Sequence, residues 1–177
     1  MDKKDIYILG AGGHTRSVIS LLNATHIKPI GILDETYLKS KPEVIMGVPI
    51  IGKYPGNNSP GDIILSLGNN EVRKEFFLTY EKYLYKNNIM HPSCNSDDTV
   101  ILGKSNLIFP NVCINAETEI GNNNILNTAS VIEHEVKIGS HNHISVGAIV
   151  CGRTSIGDSC FIGAGAVVID KMNICNN

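Results

Sequence analysis

Hydrophobic residues in the second half of the chain recur every six residues. Thirteen consecutive aliphatic residues occupy this register: Leu102, Ile108, Ile114, Ile120, Leu126, Ile132, Ile138, Ile144, Val150, Ile156, Ile162, Val168 and Ile174. A period of six differs from the 3.6-residue repeat of a helix and from the two-residue alternation of an ordinary strand. It is typical of a solenoid in which each six-residue rung contributes one short strand and one corner.

A second period, of eighteen residues, indicates that three rungs form one triangular coil. Glycine follows the aliphatic residue at four positions eighteen apart: Gly103, Gly121, Gly139 and Gly157. The position four residues after each aliphatic residue should also face the interior, and at Asn106, Asn124 and Asn142 it holds asparagine. Stacked amides can hydrogen-bond from one coil to the next. The pattern therefore predicts a parallel β-helix, without giving its hand.

The first ninety residues follow a different pattern. Ile6–Leu9 is a short apolar strand that runs into a glycine-rich turn, and a helix with Val18, Ile19, Leu21 and Leu22 on its buried face follows. Further strands are predicted at residues 30–33 and 63–67. A second helix is predicted from residue 71 to residue 84, with Val72, Phe76 and Tyr80 on one stripe. Strand, glycine turn, helix and strand form the beginning of a βαβ nucleotide-binding domain.

The glycine turn matches the dinucleotide-binding fingerprint only in part. Gly10 and Gly12 are present, but Thr15 occupies the third glycine position. Such a turn can also serve packing alone. Asp34 and Glu35 end the second strand, where a carboxylate would bind ribose hydroxyls or a base. Two mononucleotide halves do not fit before residue 91, so we expect a half-Rossmann domain that binds a nucleotide sugar, its phosphates at the N-terminus of the first helix.

Composition excludes several classes of function. Fifteen basic and seventeen acidic residues leave the chain nearly neutral, which argues against a nucleic-acid partner. No apolar stretch approaches the length of a membrane span, and Ile6–Leu9 is too short for a signal peptide. The five cysteines lack paired metal-ligand spacing, so we expect reduced thiols and a cytoplasmic protein.

Three blocks of sequence closely resemble the bacterial sugar acetyltransferases of the PglD/NeuD group. They lie at residues 109–116, 125–135 and 143–148, and the turns at residues 10–14 and 67–73 resemble the same group. The resemblance implies a nucleotide-sugar domain over residues 1–90. A left-handed β-helix that binds acetyl-CoA would follow over residues 91–177. The branch it resembles most N-acetylates the 4-amino group of a UDP-linked dideoxy amino sugar for surface glycans.

Roles for individual residues come from the same resemblance. His134 would act as general base, Glu135 would orient its imidazole, and the N–H of Gly152 would stabilise the oxyanion. The sugar amine would attack acetyl-CoA directly, since no nucleophilic relay is implied. The substrate-binding candidates are Gly12, Gly13, His14, Asp34, Glu35, Gly68 and Glu71. The acetyl-CoA contacts would be His143 and Ala164.

Three other functions remain open on the sequence alone. The same scaffold could O-acetylate sialic acid or a related sugar. A trimeric β-helix can also support zinc-dependent carbonic anhydrase chemistry, for which His141 and His143 are possible ligands, although we expect no metal. A non-catalytic protein that only binds sugar nucleotides is the third, and the His134–Glu135 pair argues against it.

Outward-pointing apolar residues and the resemblance together predict a homotrimer with acetyl-CoA in the groove between neighbouring coils. These residues are Val131, Val146, Ile149, Val167 and Ile169. The sequence stops at Asn177 as a new coil opens, so we expect the last coils of the family to be missing and acetyl-CoA to bind more weakly than in longer relatives.

Overall fold

The computed structural model describes residues 5–56, 58–59 and 61–177. The chain divides into two units, Met1–Tyr85 and Lys86–Asn177. Residues 1–4, 57 and 60 of the predicted first domain lie outside the described residues. The strand Ile89–Met90 belongs to the second unit, although its residues were assigned to the first domain from sequence.

The first unit contains a five-stranded sheet with two helices. The strands are β1 (Ile6–Leu9), β2 (Gly31–Leu33), β3 (Val44–Ile45), β4 (Val48–Gly52) and β5 (Asp62–Leu65). The helices are α1 (Gly13–Ala24) and α2 (Asn70–Thr79). The sheet order is β3-β4-β2-β1-β5, and every pairing except β3 with β4 is parallel. The predicted βαβ beginning and the buried face of α1 are confirmed.

The second predicted helix is wrong in its length, and of its predicted stripe Tyr80 is buried and Phe76 packs against the core but Val72 is exposed. Helix α2 ends at Thr79, a short 3-10 helix follows at Glu81–Tyr83, and Leu84 then pairs with Ile63. The backbone must be extended there to add to the sheet, so the helix cannot continue to residue 84. Arg73 and Phe77 are buried, whereas Val72 is 40% exposed. No helix in the described part of the chain is long and apolar enough to cross a membrane.

The second unit is a triangular coil of fifteen two-residue strands in three parallel sheets, which we call the first, second and third walls. The first wall contains β6 (Ile89–Met90), β9 (Leu107–Ile108), β12 (Ile125–Leu126), β15 (His143–Ile144) and β18 (Phe161–Ile162). The second wall contains β7 (Asn95–Ser96), β10 (Cys113–Ile114), β13 (Val131–Ile132), β16 (Ile149–Val150) and β19 (Val167–Val168). The third wall contains β8 (Ile101–Leu102), β11 (Glu119–Ile120), β14 (Lys137–Ile138), β17 (Ser155–Ile156) and β20 (Asn173–Ile174).

The predicted interior is confirmed in both of its registers. From Leu102 to Ile174 the aliphatic residue is the second residue of its strand, and from Ile108 to Ile162 each is buried. Strand partners lie eighteen residues apart, as in Ile114 with Ile132. Each coil therefore places every residue against its counterpart eighteen positions away, and the parallel β-helix predicted from the period is confirmed.

The asparagine ladder is present inside the coil and is longer than predicted. The amide of Asn124 donates to the Asn106 side chain at 3.1 Å and to the Gly139 carbonyl at 3.0 Å, and its Oδ1 accepts the Asn142 N–H at 2.8 Å. Asn106 binds Asn88 in the same way at 3.0 Å. These side chains satisfy backbone groups at a corner that the short strands leave unpaired.

The corners adopt a left-handed backbone conformation once in every six residues. Twelve positions from Ser105 to Lys171 have φ between 54° and 66°, and only Gly147 and Gly165 among them are glycines. The sequence pattern did not predict this, because glycine and asparagine are the usual signals for such positions. Glu135 is one of these corner residues, with φ of 58°.

The prediction for the ladder is that Asn124→Ala destabilises the coil more than a matched surface change. The buried Asn142 N–H and the part-buried Gly139 carbonyl would lose their partner, at a cost of about 3 kcal/mol in the free energy of unfolding. Asn122→Ala removes an amide acceptor for the Lys104 N–H in a more exposed column and should cost about 1 kcal/mol. Urea unfolding followed by circular dichroism compares the two. Equal losses would contradict the assignment of the ladder as a buried network.

A second prediction concerns the glycine column, formed by Gly103, Gly121, Gly139 and Gly157. A Cβ at residue 121 would lie 2.7 Å from the Gly139 carbonyl oxygen, so the coils must separate in Gly121→Ala. We expect a loss of about 2 kcal/mol in the free energy of unfolding, as in other overpacked sites. Gly163→Ala is the control, since a Cβ there meets no described atom within 4 Å. An unfolding midpoint for Gly121→Ala equal to that of the parent would refute the close approach.

Candidate functional site

His134, Glu135 and Arg153 form a hydrogen-bonded chain on the surface of the coil. The His134 Nδ1 lies 3.0 Å from the Glu135 Oε2, and the Arg153 Nε donates to the same oxygen at 2.9 Å. Their side chains are 51%, 41% and 56% exposed respectively. The imidazole is therefore oriented by a carboxylate yet open to a ligand.

Stacking of consecutive coils brings these three residues together. His134 and Glu135 follow β13 at the corner between the second and third walls, and Arg153 occupies the same corner eighteen residues later. The Arg153 N–H donates to the His134 carbonyl at 3.0 Å, and the Glu135 N–H donates to the Ala116 carbonyl at 2.9 Å. The backbone of the corner is thus held from both neighbouring coils.

The carboxylate of Glu135 determines which nitrogen of the His134 ring carries the proton. The hydrogen bond from His134, together with the hydrogen bond and charge of Arg153, lowers the pKa of the Glu135 carboxyl. An ionised carboxylate only accepts hydrogen bonds, so the His134 Nδ1 is the donor and carries a proton. In the neutral ring the Nε2 then bears the free lone pair, as a general base requires.

Gly152 lies directly against the ring of His134. A Cβ at residue 152 would be 2.8 Å from both the Cε1 and the Nε2 of His134. The Gly152 carbonyl accepts from Lys171, whereas its N–H has no hydrogen-bond partner among the described residues. The structure therefore places Gly152, which is itself buried, beside the Nε2 of His134.

The two residues predicted to contact acetyl-CoA lie away from His134 within one chain. His143 begins β15 on the first wall and is 8% exposed, with its Nε2 3.0 Å from the Asn127 side chain and its ring 5.1 Å from that of Phe161. Ala164 lies at the corner between the first and second walls, in an open stretch where a Cβ on Gly163 or Gly165 would meet no described atom within 4 Å. The second wall separates this corner from the corner of His134.

In the first unit, the two turns singled out from sequence meet at the carboxyl ends of β1 and β5. A Cβ on Gly68 would lie 3.8 Å from the His14 Cβ. The Thr15 hydroxyl donates to the Gly10 carbonyl at 2.8 Å and lies 3.0 Å from the Ser66 hydroxyl. Threonine at the third fingerprint position therefore ties the glycine turn to the neighbouring strand.

The N-terminus of α1 is open to an anion. Gly12 is its N-cap residue without a side-chain cap, no acidic residue occupies its first turn, and Cβ atoms on Gly12 and Gly13 would meet nothing within 4 Å. Unpaired N–H groups and the helix dipole favour a phosphate at such an end. Glu71, predicted to bind the substrate, is exposed in the first turn of α2.

Asp34 binds the glycine turn and its own loop. Its carboxylate accepts the Ala11 N–H at 2.7 Å and both the N–H and the hydroxyl of Thr36, at 2.9 and 2.6 Å. Burial disfavours its charge, but the hydrogen bonds from Thr36 and Ala11 outweigh burial and lower the pKa of Asp34. Asp34 thus fixes the turn whether or not it also binds a ligand. Glu35 beside it is exposed.

Sequence reasoning missed Tyr54, which lies in the loop after β4 near these carboxylates. Burial, followed by the charges of Asp34 and Glu35, raises the pKa of Tyr54 to about 12. Its ring packs edge-on against Phe76, with the ring centroids 4.9 Å apart. No periodicity marks a loop residue of this kind.

Among the described residues, no group of three or more His, Cys, Asp or Glu side chains could hold a metal ion.

Comparison with known proteins relates both units to one group of enzymes. Residues 5–80 match the model of the PglD N-terminal domain family. No curated protein matches the sequence significantly. Solved structures are similar over nearly the whole chain.

PerB from Caulobacter crescentus, in complex with CoA and GDP-perosamine, is 25% identical with a TM-score of 0.78, over 98% of this chain and 91% of that one. The acetyltransferase domain of PglB from Neisseria gonorrhoeae is 23% identical with a TM-score of 0.79, over 98% and 97%. That domain has also been solved with acetyl coenzyme A, at 22% identity and a TM-score of 0.77, over 97% and 95%.

The family match in the first unit and the likeness along the coil agree with the resemblance read from the sequence. Together they show a first unit that matches the PglD N-terminal domain family and a whole chain that is similar in structure to sugar acetyltransferases.

Proposed function

We propose that this protein transfers an acetyl group from acetyl-CoA to the 4-amino group of a UDP-linked dideoxy amino sugar, with His134 as the general base. The observation that carries the proposal is the His134 imidazole, whose Nδ1 binds Glu135 and whose Nε2 edge lies against Gly152. A base and a backbone N–H side by side are what acyl transfer to an amine requires.

The chemistry balances with these residues alone. The neutral sugar amine attacks the thioester carbonyl carbon, and a C–N bond forms as the His134 Nε2 takes the proton that the nitrogen sheds. The Gly152 N–H donates to the oxyanion of the tetrahedral intermediate. Collapse breaks the C–S bond, and the imidazolium returns the proton to the leaving thiolate of CoA. Glu135 stabilises the transient imidazolium through Nδ1.

The first unit would bind the nucleotide part of the sugar acceptor. The open N-terminus of α1 at Gly12 and Gly13 suits its phosphates, with His14 and Gly68 beside it. Glu35, and the free acceptor positions of Asp34, suit ribose hydroxyls. UDP is expected from the sequence resemblance, whereas PerB was solved with GDP-perosamine, so a measurement of nucleotide preference decides between uracil and guanine.

A homotrimer would unite residues that one chain holds apart. His134 and Ala164 lie at opposite edges of the second wall, so an acetyl-CoA molecule in a groove between two copies could meet His134 of one and Ala164 of the other. The exposed faces of Val146, Ile149, Val167 and Ile169 supply apolar surface for that contact. We also propose a cytoplasmic location, since acetyl-CoA and nucleotide sugars are supplied there.

The first activity prediction is that His134→Gln lowers kcat by roughly 10²- to 10⁴-fold, the usual contribution of a general base, with little change in the KM for acetyl-CoA. Release of free CoA thiol with a nucleotide amino sugar as acceptor is the measurement. His91→Gln is the control, because His91 lies at the start of the coil and its imidazole binds only Ser93 among the described residues. Parent-like turnover in His134→Gln would overturn the assignment of the base.

The second activity prediction concerns the substrate. Among UDP- and GDP-linked sugars bearing either a free 4-amino group or only hydroxyls, the UDP-linked amine should give the highest kcat/KM. Calorimetry with UDP and GDP alone measures the preference for uracil or guanine independently of turnover. Turnover with GDP-linked amines only would show that the substrate is a GDP-linked sugar and not a UDP-linked one. Turnover with hydroxyl acceptors only would show that the reaction is O-acetylation and not N-acetylation.

A further inference from the structure

Arg153 takes no direct part in the proposed acetyl transfer. It makes the second hydrogen bond to the Glu135 carboxylate, which orients His134. Its Nε and the His134 Nδ1 donate to the same oxygen, Glu135 Oε2, at 2.9 and 3.0 Å. The Glu135 side chain is 41% exposed, so on its own it could exchange this position for others in water. A second, charged donor restricts the carboxylate to the rotamer that faces His134.

The corner residues stacked above and below Glu135 carry opposite charges. Glu117 occupies the corresponding corner one coil earlier, and Lys171 occupies it one coil after Arg153. Glu117 would repel Glu135, whereas Arg153 attracts it from the opposite side. A depression of about 400 Å³ lined by Glu117, Glu135 and Arg153, among others, lies along this edge. Arg153 therefore draws the carboxylate toward the coil that also carries Gly152.

An ion pair with the same eighteen-residue spacing, but without a histidine, lies nearby. Lys137 and Glu119, on the third wall, are also eighteen residues apart and form a 3.0 Å pair at similar exposure. Exposed pairs of this kind contribute little to stability. If the Arg153–Glu135 pair only stabilised the coil, removing it or the Lys137–Glu119 pair should lower the free energy of unfolding by the same small amount and leave kcat unchanged.

We propose that Arg153 is a positioning residue, which acts through Glu135 to hold the His134 ring in the tautomer and orientation that leave Nε2 as the base. This inference rests on the proposed acetyl transfer and adds a residue to its machinery. Removing the outer hydrogen-bond partner of a metal-bound histidine changes activity by about tenfold or more, and Glu135 and Arg153 hold His134 in a comparable way. Arg153 would therefore affect kcat rather than substrate binding.

The test is a double-mutant cycle on the full-length protein, with Arg153→Gln, Glu135→Gln and the double variant. Arg153→Gln should lower kcat by about tenfold with both KM values within about twofold. The double variant should match Glu135→Gln alone, because an effect that passes through Glu135 disappears with it. Arg153→Lys should recover part of the loss, and Lys137→Gln, the matched control, should leave kcat unchanged.

Nitrogen-15 NMR of the histidine rings supplies a measurement that does not need turnover. The parent protein should show His134 predominantly as the Nδ1–H tautomer, and Arg153→Gln should shift it toward a mixture while Lys137→Gln does not. A raised KM for acetyl-CoA at unchanged kcat would instead make Arg153 a cofactor contact and overturn the inference. Independent, multiplicative losses in the double variant would also overturn it. An absence of acetyl transfer by the parent protein would refute the proposed function, while the tautomer measurement would still decide whether Arg153 positions His134.

Discussion

The hydrogen bonds between successive coils, in a constant register of eighteen residues, are the constraint on which the β-helix and its site depend. Each strand has only two residues, too few to hold a sheet by itself, so stability comes from repetition along three walls. The same register brings the residues of the candidate site into contact. Glu135 meets Arg153 and His134 meets Gly152 because each partner lies one coil further along.

The site combines a rigid backbone with an exposed side chain. The corner that carries His134 is tied to the coils before and after it, yet half of the imidazole side chain remains accessible. An imidazole on such a corner loses little conformational freedom when a ligand binds. The first unit reaches a similar result by other means, since Thr15, Ser66 and Asp34 hold the glycine turn while Gly12 and Gly13 stay open.

Much of the coil could be read from sequence because its side chains repeat with a period that belongs to no other common element. The inward aliphatic register and the Asn106–Asn124 contact follow from period six and period eighteen. The hand of the coil does not, because both hands bury the same positions. The left-handed corners were missed because residues such as Glu135 and Arg153 give no compositional signal.

Errors in the first unit have a different cause. Val72 has the spacing of a buried residue but is exposed, because α2 presents Arg73 and Phe77 to the core instead. Tyr54 lies in a loop, where no period operates. Arg153 could have been found by adding one coil to Glu135, but its role required the geometry of the two hydrogen bonds to one oxygen.

The common register of Glu135 and Arg153 restricts how such a chain can change in evolution. Inserting or deleting a single residue between them would rotate every later rung by part of a turn and separate the arginine from the carboxylate. Gain or loss of a complete coil outside that interval would leave the pair in place. Homologues that retain this histidine should therefore vary in overall coil number more readily than in the length of the segment joining these two corners.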